Sequence, residues 1–491
     1  MNASSTAAPA DAAFRQKMAR KAGIASFAGT TVEWYDFYAY GTASALVLGR
    51  LFFPSSDPAV GTLAAFASFW VGFLARPLGG VIFGHFGDKF GRKNALVTTM
   101  LMMGVCTTAV GLLPTYAQIG VWATLLLVFM RLIQGIAMGG EWGGAVVLAS
   151  EHAPKGKGIL YGAFAQQGSP AGNLLATVVW LVVAMLPDEQ FFSWGWRVPF
   201  LLSALLVVIG LVIRLSIEES PVMKELMVEK KVVKTPLGEL LRRHKAIIVL
   251  GIGACIIGVA ATYFKSTFSL AWAVDEGYFE RDAFLGIITI SLVVQFLAQP
   301  FGAVIASKIS LKKAVSILLI PELLVLPLMF PLIATGNFGL AAAGMAIATL
   351  PHSMYYAAMA GILAKSYPAG IRYTGISLSY QMSSTIFAGT TPLVGQWLLN
   401  TTGSILSVIA LSVVYVALTL FSVIALLRKS EHLATTYGES DSFHQAAPPV
   451  REDATTAPAA PASLATVAPE PGIEAPETDT EFPAQKKVHS L

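Results

Sequence analysis

The sequence predicts an all-α membrane protein: twelve transmembrane helices in two six-helix bundles, with both termini on the cytoplasmic side. Three observations predict it. The chain of 491 residues is 55% hydrophobic and only 13% charged, where a soluble domain carries about 25% charged residues. Apolar runs of about 20 residues, enough to cross a hydrocarbon layer of about 30 Å, recur along its length. Lys and Arg collect in alternate connections between those runs, as cytoplasmic loops should.

The runs place spans at about 23–49, 61–86, 94–113, 119–149, 158–186, 198–217, 246–272, 283–306, 313–334, 338–364, 371–400 and 404–428. Runs of this length are helices, because an outer-membrane barrel is built from alternating strands of about 10 residues. With both ends inside, the cytoplasmic segments hold 24 Lys and Arg, and the outside loops hold only Arg50, Arg197 and Arg281. The longest internal polar stretch, 218–245, follows span six and divides the chain six plus six, as in transporters made of two repeated halves. The expected layout is therefore a cytoplasmic segment 1–20, a first bundle 21–217, a central cytoplasmic loop 218–245, a second bundle 246–428 and a tail 429–491. That tail is rich in Ala, Pro, Thr and Glu. It cannot bury enough apolar surface to fold, so disorder is expected. It also lacks the heptads of a coiled coil.

Other classes are disfavoured. The net charge of +4 is modest and no basic run suggests nucleic-acid binding. Cys106 and Cys255 lie far apart in apolar segments, which suits two small buried residues rather than a disulfide or a metal site. The first nineteen residues have no short apolar core with a cleavage site, so a removable signal peptide is not expected. No Ser-His-Asp, metal or phosphate-cradle constellation stands out, so an enzyme, a cofactor and a metal are not expected.

Charges inside the spans are the candidate functional groups, because a charge at mid-bilayer costs roughly 2.5–3.5 kcal/mol on insertion scales and is retained where it meets a hydrated cavity. Glu33, Asp36, Arg76, Arg131, Glu141, Lys265 and Glu322 are such residues, with His352 as a further titratable group. At a rise of about 1.5 Å per residue, Asp36 and Arg131 both fall near the midplane. Glu33 and Asp36, three positions apart, share a helix face. Two carboxylates so close resist double ionisation, which suits proton coupling. Arg131 is a fixed cation that suits a carboxylate substrate or a coupling carboxylate. Glu33 or Asp36 could instead be only a structural partner of Arg131 or Arg76, in a permanent buried ion pair. Trp34, Tyr35 and Tyr38 flank the acidic face as cavity candidates, although aromatic residues are also ordinary membrane packing. Gln166 in span five joins them. Lys265 either binds an anionic substrate or snorkels outward. Glu141, within Gly139-Gly140-Glu141-Trp142-Gly143-Gly144, lies toward the cytoplasmic side and reads as structural or gating; its glycines allow close helix approach. Glu322 and His352 are weaker candidates.

The stretch Gly84-His85-Phe86-Gly87-Asp88-Lys89-Phe90-Gly91-Arg92-Lys93 falls between spans two and three. Its glycines permit a tight turn. Asp88 could cap a helix N-terminus or pair with Arg92. The stretch matches the G-x-x-x-D-[RK]-x-G-[RK]-[RK] signature, and with the six-plus-six layout the chain resembles the major facilitator superfamily. Further segments are similar to the metabolite:H+ symporter family: Glu33-Trp34-Tyr35-Asp36-Phe37; Arg76-Pro77-Leu78-Gly79-Gly80; Arg131-Leu132-Ile133-Gln134-Gly135; Trp194-Gly195-Trp196-Arg197-Val198-Pro199-Phe200; and Glu219-Ser220-Pro221. Residues 61–200 resemble the shikimate-transporter branch most. The second half departs: Ser307-Lys308-Ile309-Ser310-Leu311-Lys312-Lys313 lacks the acidic residue and glycine of a second signature copy.

The resemblance implies a multi-pass inner-membrane carrier, working as a monomer, that imports a small metabolite with protons as its coupling ion. Glu33, Asp36 and Arg131 would couple protons. Arg131, Trp34, Tyr35, Tyr38, Gln166 and Lys265 would meet the substrate. Gly84, Asp88, Lys89, Gly91, Arg92 and Lys93, with Arg76 and Glu141, would gate. A zwitterionic osmolyte as substrate, an exchange or uniport mechanism, and a sensor that does not transport remain open alternatives.

Overall fold

The protein is described here by a computed structural model covering residues 9–54, 58–154, 156–229 and 233–437. The expectations for residues 1–8 and for the tail beyond 437 lie outside the described residues. Within them the chain forms twelve long helical rods. In the first half these are α1 (Pro9–Ala43), α2 (Pro58–Phe90), α3 (Arg92–Leu112), α4 (Val121–His152), α5 (Gly158–Val183) and α6 (Val198–Leu215). In the second half they are α7 (Lys245–Tyr263), α8 (Arg281–Lys308), α9 (Leu311–Ile333), α10 (Phe338–Ser366), α11 (Arg372–Ser383) and α12 (Leu406–Tyr437). Three rods pass through a π-helical turn before continuing: α1 at Ser44–Leu48, α7 at Phe264–Phe268 and α11 at Ser384–Ala388. Such turns cluster at functional sites because they re-aim the side chains on one face.

Seven of the described helices are long and apolar enough to cross a membrane by length and composition alone. They comprise α3, α4, α6, α7, α8, α9 and α12. The others, α1, α2, α5, α10 and α11, dilute their apolar character with glycines, hydroxyls and charges. All five contribute to the wall of one central cavity. Prolines inside α2, α5, α8, α9 and α10 are carried without ending the helix. In membrane helices neighbouring groups re-satisfy the backbone that a proline frees.

Lipid gives helices no hydrophobic reason to associate, so close packing of small residues must hold them together. The glycine run of α4 does this on two sides. A Cβ on Gly139 would meet the Arg76 carbonyl of α2 at 2.1 Å, and one on Gly143 would meet Ser377 Oγ of α11 at 2.0 Å. Within the first half α1 packs on α5, α2 on α4, and α3 on α4 and α6; within the second, α8 and α9 pack on α10, and α7 on α12. The two halves meet where α2 packs on α11 and where α5 packs on α8 and α10. Large apolar residues such as Trp122, Leu324, Leu393 and Phe421 stay exposed on outer faces, as lipid contact requires.

Three boundaries differ from the sequence reading, at α1, α2 and α12. α1 begins before the expected span, and α2 runs to Phe90. Gly84, Gly87 and Asp88 therefore stand on the last turns of α2, and only Gly91 makes the turn, at φ +115°, a conformation that side chains with a Cβ rarely adopt. The segment between the halves contains two short helices, Pro221–Val228 and Pro236–Arg243. The first is started by Ser220, whose Oγ accepts from Met223 N at 3.0 Å, with Pro221 in the opening turn. α12 continues to Tyr437, past the expected start of the tail.

Candidate transport site

The central cavity lies between the halves. Trp34 and Tyr38 of α1, Arg76 of α2 and Ser169, Pro170 and Asn173 of α5 line one wall. Tyr263 of α7, Gln295 of α8, Tyr356 of α10, and Tyr380 and Ser384 of the α11 rod line the other. Positions 34 and 38 face the same way because they are one helical turn apart; their rings lie 5.6 Å centroid to centroid. The Arg76 guanidinium is fixed over the rings of Phe73 at 4.2 Å and Phe37 at 4.6 Å, and its Nη2 donates to Met138 Sδ at 3.1 Å. A guanidinium held by ring faces keeps donors free for a ligand.

Beneath the cavity the halves are bridged. Trp142 of α4 stacks on Tyr380 with centroids 3.7 Å apart. Gln166 accepts from Trp142 Nε1 at 2.7 Å and donates to the Tyr356 carbonyl at 2.7 Å. Tyr356 and Tyr380 share a hydroxyl hydrogen bond of 2.9 Å.

Behind the first-half wall, Glu33, Asp36 and Glu141 line a separate small void with Met100, Met103 and Val207. All three carboxyls are buried. Asp36 Oδ2 stands 2.8 Å from Thr107 Oγ1, which accepts from Gln134 Nε2 at 2.7 Å; Gln134 Oε1 in turn accepts from Arg131 Nη1 at 3.1 Å. Asp36 and Arg131 are thus joined through two neutral side chains. Arg131 also lies over the Tyr40 ring at 4.1 Å. Glu141 accepts from Thr99 at 2.7 Å and forms an ion pair with Arg214 of α6. Three carboxyls therefore face three buried guanidiniums, Arg76, Arg131 and Arg214, across one low-dielectric region. Adding or removing one proton there changes the balance of buried charge.

The other end of the interface is closed by a second network. Asp88 Oδ1 accepts from Tyr373 N at 3.2 Å; its Oδ2 accepts from Thr374 N at 2.9 Å and Thr374 Oγ1 at 2.7 Å. Asp88 is the cap of α11, supplied by the opposite half. Arg92 pairs with Asp88 at 2.9 Å, lies 3.5 Å from Glu151 and donates to the Ala369 carbonyl at 2.7 Å. Glu151 also holds Arg372 at 3.0 Å and accepts from Ser220 Oγ at 2.5 Å. Glu219 caps α3, accepting from Arg92 N at 3.0 Å and Lys93 N at 3.1 Å. Lys93 Nζ donates to the Leu215 carbonyl, whereas Lys89 is exposed beside Phe90.

The structure sorts the sequence candidates into three places. Trp34, Tyr38 and Arg76 line the cavity wall together. Tyr35 turns away and donates to the Pro199 carbonyl of α6 at 2.7 Å, because position 35 lies about 100° around the helix from Trp34. Arg131, Glu33 and Asp36 lie behind the wall. Gln166 spends its amide on the bridge between halves. Lys265 points into the second half, donating to Thr349 at 3.0 Å. Glu141 sits between the carboxyl void and Arg214. Sequence reasoning missed Glu151, Arg214, Arg372, Thr107 and Gln134. Arg214 and Arg372 stand at the ends of spans six and eleven, where a basic residue counts toward the cytoplasmic Lys and Arg bias and carries no further signal. Only the segment Arg131-Leu132-Ile133-Gln134-Gly135 carried a signal for any of the five, through Gln134.

Comparison with known proteins places this architecture. The family described as Sugar (and other) transporter matches residues 21–230. The chain is 40% identical over 383 residues to the inner membrane metabolite transport protein YhjE of Escherichia coli, covering 76% of this chain and 87% of that one. It is 40% identical over 386 residues to the shikimate transporter of Escherichia coli, covering 78% and 88%. It is 33% identical over 392 residues to the proline/betaine transporter of Salmonella typhimurium, covering 78% of each. Among solved structures, the proton:xylose symporter XylE shares the fold with a TM-score of 0.65 at 14% identity, covering 84% of this chain and 96% of that one. With two relatives at 40% identity over most of both chains, this protein belongs to the major facilitator superfamily, as a multi-pass inner-membrane transporter among the metabolite transporters that include the shikimate transporter, and it is not an enzyme.

Proposed function

We propose that the protein is a proton-coupled symporter that imports a small organic acid, of the shikimate-like carboxylate class, by alternating access. The observation that carries this reading is the Arg76 guanidinium on the cavity wall, set among Trp34, Tyr38, Tyr263, Tyr356 and Tyr380. A guanidinium pairs with a carboxylate through two parallel hydrogen bonds, and the rings provide apolar faces for a carbon skeleton.

In this reading a proton and the acid enter from outside. The proton is taken up by the Glu33–Asp36–Glu141 group, and the acid meets Arg76. Arg131 acts on Asp36 through Gln134 and Thr107. Loading favours release of the Asp88–Thr374 cap and of the Glu151 ion pairs, so the halves rock and the cavity opens inward. Uptake of shikimate and other carboxylates into proteoliposomes with an imposed pH gradient tests the reading; Arg76→Ala should lower it strongly. Full uptake of every tested acid by Arg76→Ala would remove its basis.

A second reading has a specific observation behind it. The same five rings could surround a quaternary ammonium by cation–π attraction, with Arg76 taking the carboxylate of a betaine. Glycine betaine competing for shikimate uptake at comparable concentration would favour it.

A further inference from the structure

The second half contains a cluster of ionisable side chains that the proposed cycle does not use. Lys265 comes from the π turn of the α7 rod, Glu322 from α9 and His352 from α10. They are separated by 57 and 30 positions in sequence but converge in the interior. All three are buried, Glu322 and His352 fully. His352 Nδ1 stands 3.6 Å from Glu322 Oε1, and Lys265 and Glu322 act on each other electrostatically. Both carboxyl oxygens of Glu322 and both ring nitrogens of His352 lack a hydrogen-bond partner among the described residues. Buried polar atoms are rarely left so.

Two contacts connect this centre to the cavity. Lys265 Nζ donates to Thr349 Oγ1, which lies 2.7 Å from Ser291 Oγ of α8; Ser291 is followed by Leu292 and, one turn on, Gln295, both on the cavity wall. The His352 ring stacks on that of Tyr356 with centroids 6.3 Å apart and planes 22° apart, and Tyr356 is also on the wall.

We propose that Lys265, Glu322 and His352 form a proton-binding centre within the second half, in which Glu322 and His352 share a labile proton and Lys265 sets the charge balance. With Lys265 a cation, Glu322 a carboxylate and His352 neutral, the centre carries no net charge. One added proton converts the carboxylate to the acid or the imidazole to imidazolium and leaves one net positive charge. An apolar interior resists that charge unless something offsets it. An anion in the cavity beside Tyr356 would do so, which couples proton uptake to substrate binding; that coupling step rests on the carboxylate reading, whereas the proton site does not. Tyr355 of α10 lies in the field of Glu322 and of Cys255 of α7, and Tyr356, stacked on His352, lies in that of Cys255, Tyr263 and Glu33. Ser291 of α8 reaches the centre through Thr349, Gln166 of α5 donates to the Tyr356 carbonyl, and Tyr380 of α11 shares a hydroxyl hydrogen bond with Tyr356; Arg76 acts on Tyr380 from across the cavity.

Infrared difference spectroscopy of the purified full-length protein, titrated with acid and without substrate, tests the proposal. Glu322→Gln should remove a titrating carboxyl band that Asp36→Asn leaves in place. His352→Gln and Lys265→Met should each move the midpoint of that band by about one pH unit or more. If Glu322→Gln removes no titrating band, or if neither of the other changes moves its midpoint, the proposal is overturned. Should Glu322→Gln not purify, the midpoint shift of the carboxyl band remaining in an Asp36→Asn background decides: a shift on adding His352→Gln supports the centre, and none overturns it. Because no substrate is present, failure here is distinct from failure to find a transported acid.

Discussion

Asp88 and Thr374 are joined across the two halves of the molecule: the Asp88 carboxylate of α2 accepts both the backbone N–H and the hydroxyl of Thr374, at 2.9 and 2.7 Å, in the first turn of α11. A helix N-terminus carries partial positive charge and unsatisfied donors. The cap therefore exists only while this end of the interface is closed, and its loss favours the open arrangement.

Asp88→Asn keeps the shape but removes the charge from both the cap and the Arg92 pair. Hydrogen bonds to charged groups contribute about 1.5–3 kcal/mol, so the closed state should lose roughly tenfold or more in population. Alkylation of a cysteine placed at Ser377, with Cys106 and Cys255 replaced by Ala, should accelerate accordingly in inside-out vesicles. An unchanged rate would show that the cap does not hold the gate.

Gly87→Ala acts on the same closure by sterics alone. A Cβ there would fall 2.0 Å from the Tyr373 ring, so α2 and α11 could not approach as they do. The expected result is the same faster alkylation at Ser377, with thermal stability lowered by overpacking of about 1–3 kcal/mol.

Glu141 and Arg214 form a buried ion pair in the first half. Glu141→Gln leaves a buried guanidinium uncompensated, which costs about 3–5 kcal/mol. The midpoint of thermal unfolding in detergent should fall markedly, and Glu141→Gln combined with Arg214→Met should recover part of the loss. A double variant less stable than the single one would contradict the pairing.

Arg76→Ala should weaken the substrate rather than the fold. Losing a bidentate contact to a carboxylate costs about 2–4 kcal/mol, or roughly 30- to 1000-fold in affinity. Shikimate uptake should therefore show a raised KM, with Arg76→Lys recovering only part because an ammonium cannot form the paired geometry.

Much of the fold was legible in the sequence because its signal is coarse: apolar length and the Lys and Arg bias. All twelve expected spans overlap long helical rods, with boundaries shifted mainly at α1 and α12. The site was harder to read. Depth along a helix is readable from rise per residue, so Asp36 and Arg131 were recognisable as interior charges. The angle around the helix axis was not. That angle sends Trp34 and Tyr38 to the cavity, Tyr35 to α6, and Glu33 and Asp36 to a void behind the wall. Contacts between distant helices were less legible still. Nothing local to Lys265, Glu322 or His352 shows that they converge, and Arg214 and Arg372, at the ends of their spans, look like ordinary cytoplasmic charges because helix ends tolerate charge. The signature was the exception: Asp88 does pair with Arg92 and does cap a helix N-terminus, and only the identity of that helix required the structure.

Coupling is the central claim, and proteoliposome uptake of shikimate tests it most directly. With an acidic exterior imposed, the account predicts accumulation above the external concentration, collapse of that accumulation on adding a protonophore, and its loss in Asp36→Asn. Uptake that never exceeds equilibrium and ignores both the pH gradient and the protonophore would contradict it.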